Sequence, residues 1–180
     1  MILLKHGDLI DGTGSVPRRA DVLIEGKTIR DVGVLDHVSD AEMVDCQGLA
    51  VCPGFIDVHS HSDLEALQHR SEKICQGVTT EVTGNCSFSP FPSGQAGPEQ
   101  LRAALGSTLR SQAEWDWTTL DGWAGSVHSR GTSLNLAPLV GHGAIRVAAG
   151  VTENRPPTDD ELRILRDEVD PHSVYLRDSE

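Results

Sequence analysis

The chain has 180 residues and a net charge of −12, from 15 Lys and Arg against 27 Asp and Glu. That balance argues against nucleic acid or an anionic membrane surface as a partner, since both repel it on average, and no apolar run reaches the 18 residues of a membrane span. The length is enough to bury a real core but short of the about 250 residues of a complete eight-fold β/α barrel.

The chain opens MILLKHGDLIDG, with a very short apolar stretch and no basic segment before it, so no secretory leader is expected. Residues 1–50 read as β structure. Ile2-Leu3-Leu4, Asp21-Val22-Leu23-Ile24 and Thr28-Ile29-Arg30-Asp31-Val32 are β-rich runs, and Glu25-Gly26-Lys27 marks a hairpin turn between two of them. Gly12-Thr13-Gly14-Ser15 has neither strand-to-helix context nor a phosphate-binding lysine and is read as a loop.

The pattern changes at Val51-Cys52-Pro53-Gly54. Short apolar or β-branched runs follow at residues 55–58, 77–83 and 134–140, with helical sequence between them. Strands alternating with helices predict a parallel sheet or barrel. A helix is predicted over residues 98–111, with Pro98 in its first turn and Leu101, Ala104, Leu105 and Leu109 on one face. A second starts near Thr118 and ends before Gly131. A third opens on the capping box Thr158-Asp159-Asp160-Glu161, carries Leu162, Leu165 and Val169 on one face, and stops at Pro171. Residues 85–97, rich in Ser, Pro and Gly, read as a long loop after the second of these strands.

The sharpest chemical feature is Phe55-Ile56-Asp57-Val58-His59-Ser60-His61-Ser62-Asp63. Residues two apart on a strand share a face, so His59 and His61 project together and suit a divalent metal, with Ser60 facing away. Cys86 ends the next strand, in Gly84-Asn85-Cys86-Ser87. It is either a zinc-binding thiolate or a small packed thiol. His142, in Gly141-His142-Gly143, stands at the end of a third strand, and the flanking glycines permit close backbone approach. It is open to reading as a ligand, a donor behind the ligands, a substrate contact or an ordinary hydrogen-bonded histidine. Asp57 shares the histidines' face and is a candidate to orient one of them; Asp63 is either a similar site carboxylate or a cap for the next helix. His6, His37, His69, His128 and His172 read as surface residues, and Cys46, Cys52 and Cys75 as inert. The cysteines form no CxxC pair, which fits a reducing cytoplasm. Glu81 is anomalous: alternation turns it toward the helix layer, where an unpaired carboxylate costs on the order of 2–5 kcal/mol.

The GFIDVHSHSD segment resembles the first barrel strand of the amidohydrolase superfamily. Gln76-Gly77-Val78-Thr79-Thr80, the Gly84-Asn85-Cys86-Ser87 turn and Leu139-Val140-Gly141-His142-Gly143 are similar to its N-acyl-D-amino-acid deacylase (D-aminoacylase) branch, in which a cysteine replaces a carboxylated lysine. The resemblance covers roughly residues 1–170. It implies an α/β fold: residues 1–53 contribute to a small β-sandwich and residues 54–180 form the first part of a (β/α)8 barrel. It implies His59, His61 and Cys86 as ligands of one or two zinc ions. The cysteine belongs to a tight site completed by later histidines, and the histidine pair to a second, weaker one. The implied reaction is hydrolysis of a linear amide in a small N-acyl amino acid, releasing a D-amino acid, with the general base on sequence this chain lacks. The 180 residues alone are therefore expected to be inactive. The rival readings are a non-catalytic remnant and a cyclic amidohydrolase of the dihydroorotase or hydantoinase type, against which Cys86 argues because those enzymes place lysine there.

Overall fold

The computed structural model describes residues 1–36, 38–68, 71–105 and 115–173. His37, His69, the second half of the helix predicted over residues 98–111 and the tail beyond residue 173 lie outside them. The chain divides into two units, Met1–Gly54 and Phe55–Glu180.

The first unit is a five-stranded sheet. Strands β1 (Ile2–Leu9), β2 (Arg18–Glu25), β3 (Thr28–Gly33) and β4 (Glu42–Asp45) lie in the order β3-β2-β1-β4, and β5 (Ala50–Val51) pairs with the far end of β1. The β2–β3 hairpin turns at Gly26, as predicted. Leu3, Ala20, Val22, Leu23 and Cys46 are buried.

Between Leu4 and Gly7 the β1–β2 register shifts, so Lys5 and His6 together face Asp21. His6 takes a left-handed φ of 64° at this bulge. Its displaced N–H finds a partner in Asp21 Oδ1 at 2.9 Å, while Asp21 Oδ2 accepts the Leu35 N–H at 3.0 Å. The buried Asp21 thus pins both the bulge and the chain leaving β3. Burial pushes its carboxyl up, but the two backbone donors outweigh burial and hold it below the ordinary aspartate value.

The second unit is built on three parallel strands, β6 (Phe55–Asp57), β7 (Val78–Thr83) and β8 (Asn135–Pro138), in that order. The helices are α1 (Gly97–Leu105), α2 (Leu120–Arg130), α3 (His142–Ala148) and α4 (Asp159–Ser173). Thr119 caps α2 by accepting the Gly122 N–H at 3.2 Å. The capping box of α4 forms in both directions: Thr158 Oγ1 accepts from Glu161 N–H (3.3 Å), and Glu161 Oε2 accepts from Thr158 N–H (2.7 Å). Pro171 does not stop α4, which runs on to Ser173; a proline removes one backbone donor without forcing the helix to end there. Helix α3 has no counterpart in the sequence-based expectation, in which the residues before it end a strand and its own carry no helical pattern.

The segment over residues 85–97 is the long loop expected, broken by two short 3₁₀ turns. It is buried in its middle: Ser89, Pro90, Phe91, Pro92 and Ser93 are inaccessible, and Phe91 sits in the core with Leu64, Leu101 and Trp123. Indole donors account for its burial. Trp115 and Trp117 both donate Nε1–H to the Pro90 carbonyl, at 3.1 and 2.9 Å, and Trp123 donates to the Asp63 carbonyl at 3.2 Å. Inward-facing backbone oxygens are thereby satisfied without a strand partner.

Asp21 yields a pH prediction. Its folded pKa is depressed, so its contribution is present at neutral pH and is lost as pH falls below about 4, through the folded value. Asp21→Asn offers one acceptor where two are needed and should cost the first unit about 1–3 kcal/mol at pH 7. Hydrogen exchange at the His6 and Leu35 amides should accelerate in the variant at pH 7. Unchanged protection at both would contradict the role given to Asp21.

Candidate metal centre

Because β6 and β7 run parallel, their C-terminal ends emerge at one edge. The ladder continues past β6, where the Ser60 N–H donates to Val82 O at 3.0 Å. His59 and His61 flank that bond, and Cys86 follows β7 through Gly84 and Asn85. His59, His61 and Cys86 each offer a ligand atom within 4.8 Å of the others. His59 Nε2 lies 3.2 Å from Cys86 Sγ. The two imidazole centroids are 5.5 Å apart, nearly perpendicular, and the His61 ring meets the edge of Phe88 at 6.0 Å.

The Cys86 turn is unusual backbone. Gly84 (φ 77°), Cys86 (φ 54°) and Ser87 (φ 74°) are left-handed, a conformation costing about 1–2 kcal/mol for a residue with a Cβ. The surroundings over-determine it. A Cβ on Gly84 would overlap the Leu139 carbonyl, and one on Gly141 would come 2.5 Å from Ser87 O. The Leu139 N–H donates to Thr83 O at 2.9 Å, and the Gly141 N–H to Ser89 Oγ at 2.9 Å. The residues after β8 therefore pack backbone to backbone on the cysteine turn, and this holds Cys86 toward the histidines.

The other predicted residues fall elsewhere. His142 is the first residue of α3, is exposed, and is not one of the three converging ligands. Asp57 accepts the His59 N–H at Oδ1 (3.2 Å) and the Lys73 ammonium at Oδ2 (2.8 Å). The Lys73 hydrogen bond, seconded by the His59 N–H, holds the Asp57 carboxyl below its ordinary value. Asp63 is fully buried, and neither carboxylate oxygen has a hydrogen-bond partner of normal geometry. Burial pushes its carboxyl up to about 6, the Gly84 N–H and the Thr83 hydroxyl only partly offsetting it. Glu81 is buried as alternation predicts but is not unpaired: Lys73 Nζ, Ser60 Oγ and Ser62 Oγ all contact its Oε1. Burial pulls the Lys73 ammonium down, yet its bonds to Asp57 and Glu81 prevail and hold it above the ordinary lysine value. Sequence reasoning misses Lys73, which lies in no motif or periodic run; Asn85 does lie in the Gly84-Asn85-Cys86-Ser87 motif, but only Cys86 is given a role there.

The three converging donors fit a zinc ion. Two imidazoles and a thiol form the nitrogen and sulfur set that tetrahedral zinc takes. His61 Nδ1 is also buried without a hydrogen-bond partner, and such a polar atom requires an explanation in a folded protein.

Comparison with known proteins agrees with the resemblance read from the sequence. The amidohydrolase family model matches residues 42–179, and the chain belongs to that family. D-aminoacylase of Alcaligenes xylosoxydans xylosoxydans is 38% identical over 170 residues, which is 92% of this chain and 34% of that protein. The crystal structure of N-acyl-D-glutamate deacylase from Bordetella bronchiseptica, complexed with zinc and a phosphonate mimic of the tetrahedral intermediate, superimposes with a TM-score of 0.79 at 32% identity. That alignment covers 94% of this chain and 35% of the other. The chain thus spans about a third of the length of these relatives. A dihydroorotase of Streptococcus thermophilus matches over 84 residues only, 47% of this chain.

Gly84→Ala tests the packing of the cysteine turn. It should destabilise the second unit by more than the roughly 1–2 kcal/mol of left-handed placement alone, because the added carbon overlaps a carbonyl. A thermal melt followed at the tryptophans, with thiol labelling of Cys86 alongside, measures both consequences. An unchanged melting temperature would show that the two turns are not in close contact.

Proposed function

We propose that this chain is the metal-binding N-terminal third of a hydrolase that cleaves the linear amide bond of N-acyl-D-amino acids. The observation that carries the reading is the convergence of His59, His61 and Cys86 within 4.8 Å at the C-terminal edge of two parallel strands, where α/β-barrel enzymes assemble their active sites. In this reading the three parallel strands open a (β/α)8 barrel that later sequence completes, and the sheet of residues 1–53 contributes to a small β-sandwich. The named deacylases support the substrate class, and Cys86, in place of lysine, separates the chain from the cyclic amidohydrolases.

Zinc held at such a site supplies acidified water, with a pKa near 7, and a polarised acyl carbonyl. His59 and His61, just beyond β6, would hold the ion together with Cys86, just beyond β7. Asp57 is engaged by Lys73 and the His59 N–H, so its task is to orient rather than to move protons. A general base must take the proton of the attacking water and pass it to the leaving amine. Among the described residues no carboxylate is free at the cluster for this step: Asp57 is paired, and Asp63 is buried. The 180 residues alone should therefore bind metal without turning over substrate.

Two measurements test this. Titration of the chain with Cd2+ should give a saturable thiolate-to-metal absorption band, which Cys86→Ser abolishes; a folded chain with no such band would remove the metal assignment. For the substrate, residues 1–173 can replace the matching third of the Alcaligenes D-aminoacylase. The zinc-loaded chimera should hydrolyse N-acetyl-D-amino acids and leave the L-isomers intact. A folded, zinc-loaded chimera inactive on both would overturn the substrate class.

A further inference from the structure

Asp57 and Glu81 are cross-strand partners in the β6–β7 ladder. Two carboxylates so placed repel one another, and Glu81 is only 1% exposed. Lys73 answers both. Its Nζ contacts Asp57 Oδ2 (2.8 Å), Glu81 Oε1 and, in addition, Ser60 Oγ (3.0 Å). The third contact is not needed to balance charge.

Ser60 lies between the two histidines, is itself 4% exposed, and has every polar group tied down. Its N–H donates to Val82 O (3.0 Å), and its carbonyl accepts from Asn85 Nδ2 (3.3 Å). Its hydroxyl accepts from Lys73 and donates to Glu81 Oε1 (3.1 Å). Asn85 Nδ2 also donates to Val82 O at 2.9 Å and immediately precedes Cys86. On the other flank, the His59 N–H is held by Asp57. The peptide units carrying both imidazoles are thus fixed, through Lys73, Asp57 and Glu81, to the strand that carries the thiol.

We propose that Lys73 is a positioning residue for the metal centre. The Lys73–Asp57–Glu81 network sets the spacing of His59 and His61 relative to Cys86, and metal affinity depends on it although none of the three supplies a ligand atom to the cluster. This rests on the metal reading above. The bland alternative is that Lys73 serves only to neutralise a buried glutamate. The two roles part company when both charges are removed together. An apolar pair of similar volume commonly preserves a fold, but it leaves the Ser60 hydroxyl without its Lys73 donor and Glu81 acceptor.

The test is Cd2+ titration of the full chain, read at the thiolate-to-metal band, with zinc competition and a thermal melt for each variant. Lys73→Met/Glu81→Leu should melt cooperatively and bind Cd2+ roughly 10-fold or more weakly, the scale seen when groups behind metal ligands are lost. Ser60→Ala leaves the Lys73–Glu81 pair in place and removes its hold on the histidine segment. It also removes the bonds of the Ser60 hydroxyl to Ser62 N–H (3.1 Å) and Ser62 Oγ (2.9 Å), so Ser62→Ala serves as its control; Ser60→Ala should weaken binding severalfold and Ser62→Ala less, and the pair decides the matter if the double variant does not fold. Wild-type affinity in a folded double variant, or in Ser60→Ala, overturns the positioning role while leaving the metal site standing. Absence of the band in the unmodified chain fells both readings together.

Discussion

The register of β6 against β7 is the constraint on which the site depends. Parallel pairing sends two strand ends to one edge, and the alignment of Asp57 with Glu81 decides which residues lie level beyond it. A slip by one residue would turn His59 and His61 to the opposite face and bring Ser60 toward the cysteine. The register is held where a slip would be costly. Glu81 needs Lys73, Lys73 also binds Asp57 and Ser60, and none of these partners is available at a neighbouring position. A buried ion pair is weak evidence for net stability. Its value here is that only one alignment satisfies it.

Much of this was legible in the sequence. The three parallel strands appear where apolar runs predict them, trimmed at their ends. The Thr158 capping box forms as written, because capping is local chemistry that needs no tertiary information. The convergence of His59, His61 and Cys86 could be anticipated because strand periodicity and the C-terminal edge of an α/β sheet constrain side chains strongly. Three things escaped. Lys73 sits before a short 3₁₀ turn, Ile74–Gln76, with no motif around it; its role exists only once two strands are aligned. Helix α3 hides behind the Gly-His-Gly sequence, whose glycines make the close backbone approach expected of them, to the Ser87 carbonyl, but give no helical signal. Residues 85–97 form the loop their composition predicts, but the burial of its middle is not written locally and depends on indoles some 25 residues away.

Glu81 shows how an apparent fault in a sequence can be informative. A carboxylate at a core-facing position of an inner strand is a local inconsistency, and such inconsistencies gather at functional sites. Here it marked the place where the segment carrying His59 and His61 is anchored to the sheet. Asp63 is a second polar intrusion nearby, buried with no hydrogen bond of normal geometry and raised in pKa by that burial. Both lie buried near the candidate ligands, of which His59 and Cys86 are exposed and His61 is half-buried.

The indole donors that bury residues 85–97 have one more consequence. The three tryptophans of the chain, Trp115, Trp117 and Trp123, all belong to the second unit, and each donates its ring N–H to a buried carbonyl. Their emission therefore reports on the body that carries the candidate ligands. Opening of the N-terminal sheet is optically silent at the indole band, so intrinsic fluorescence separates the fate of the unit with the candidate ligands from that of its neighbour without any label.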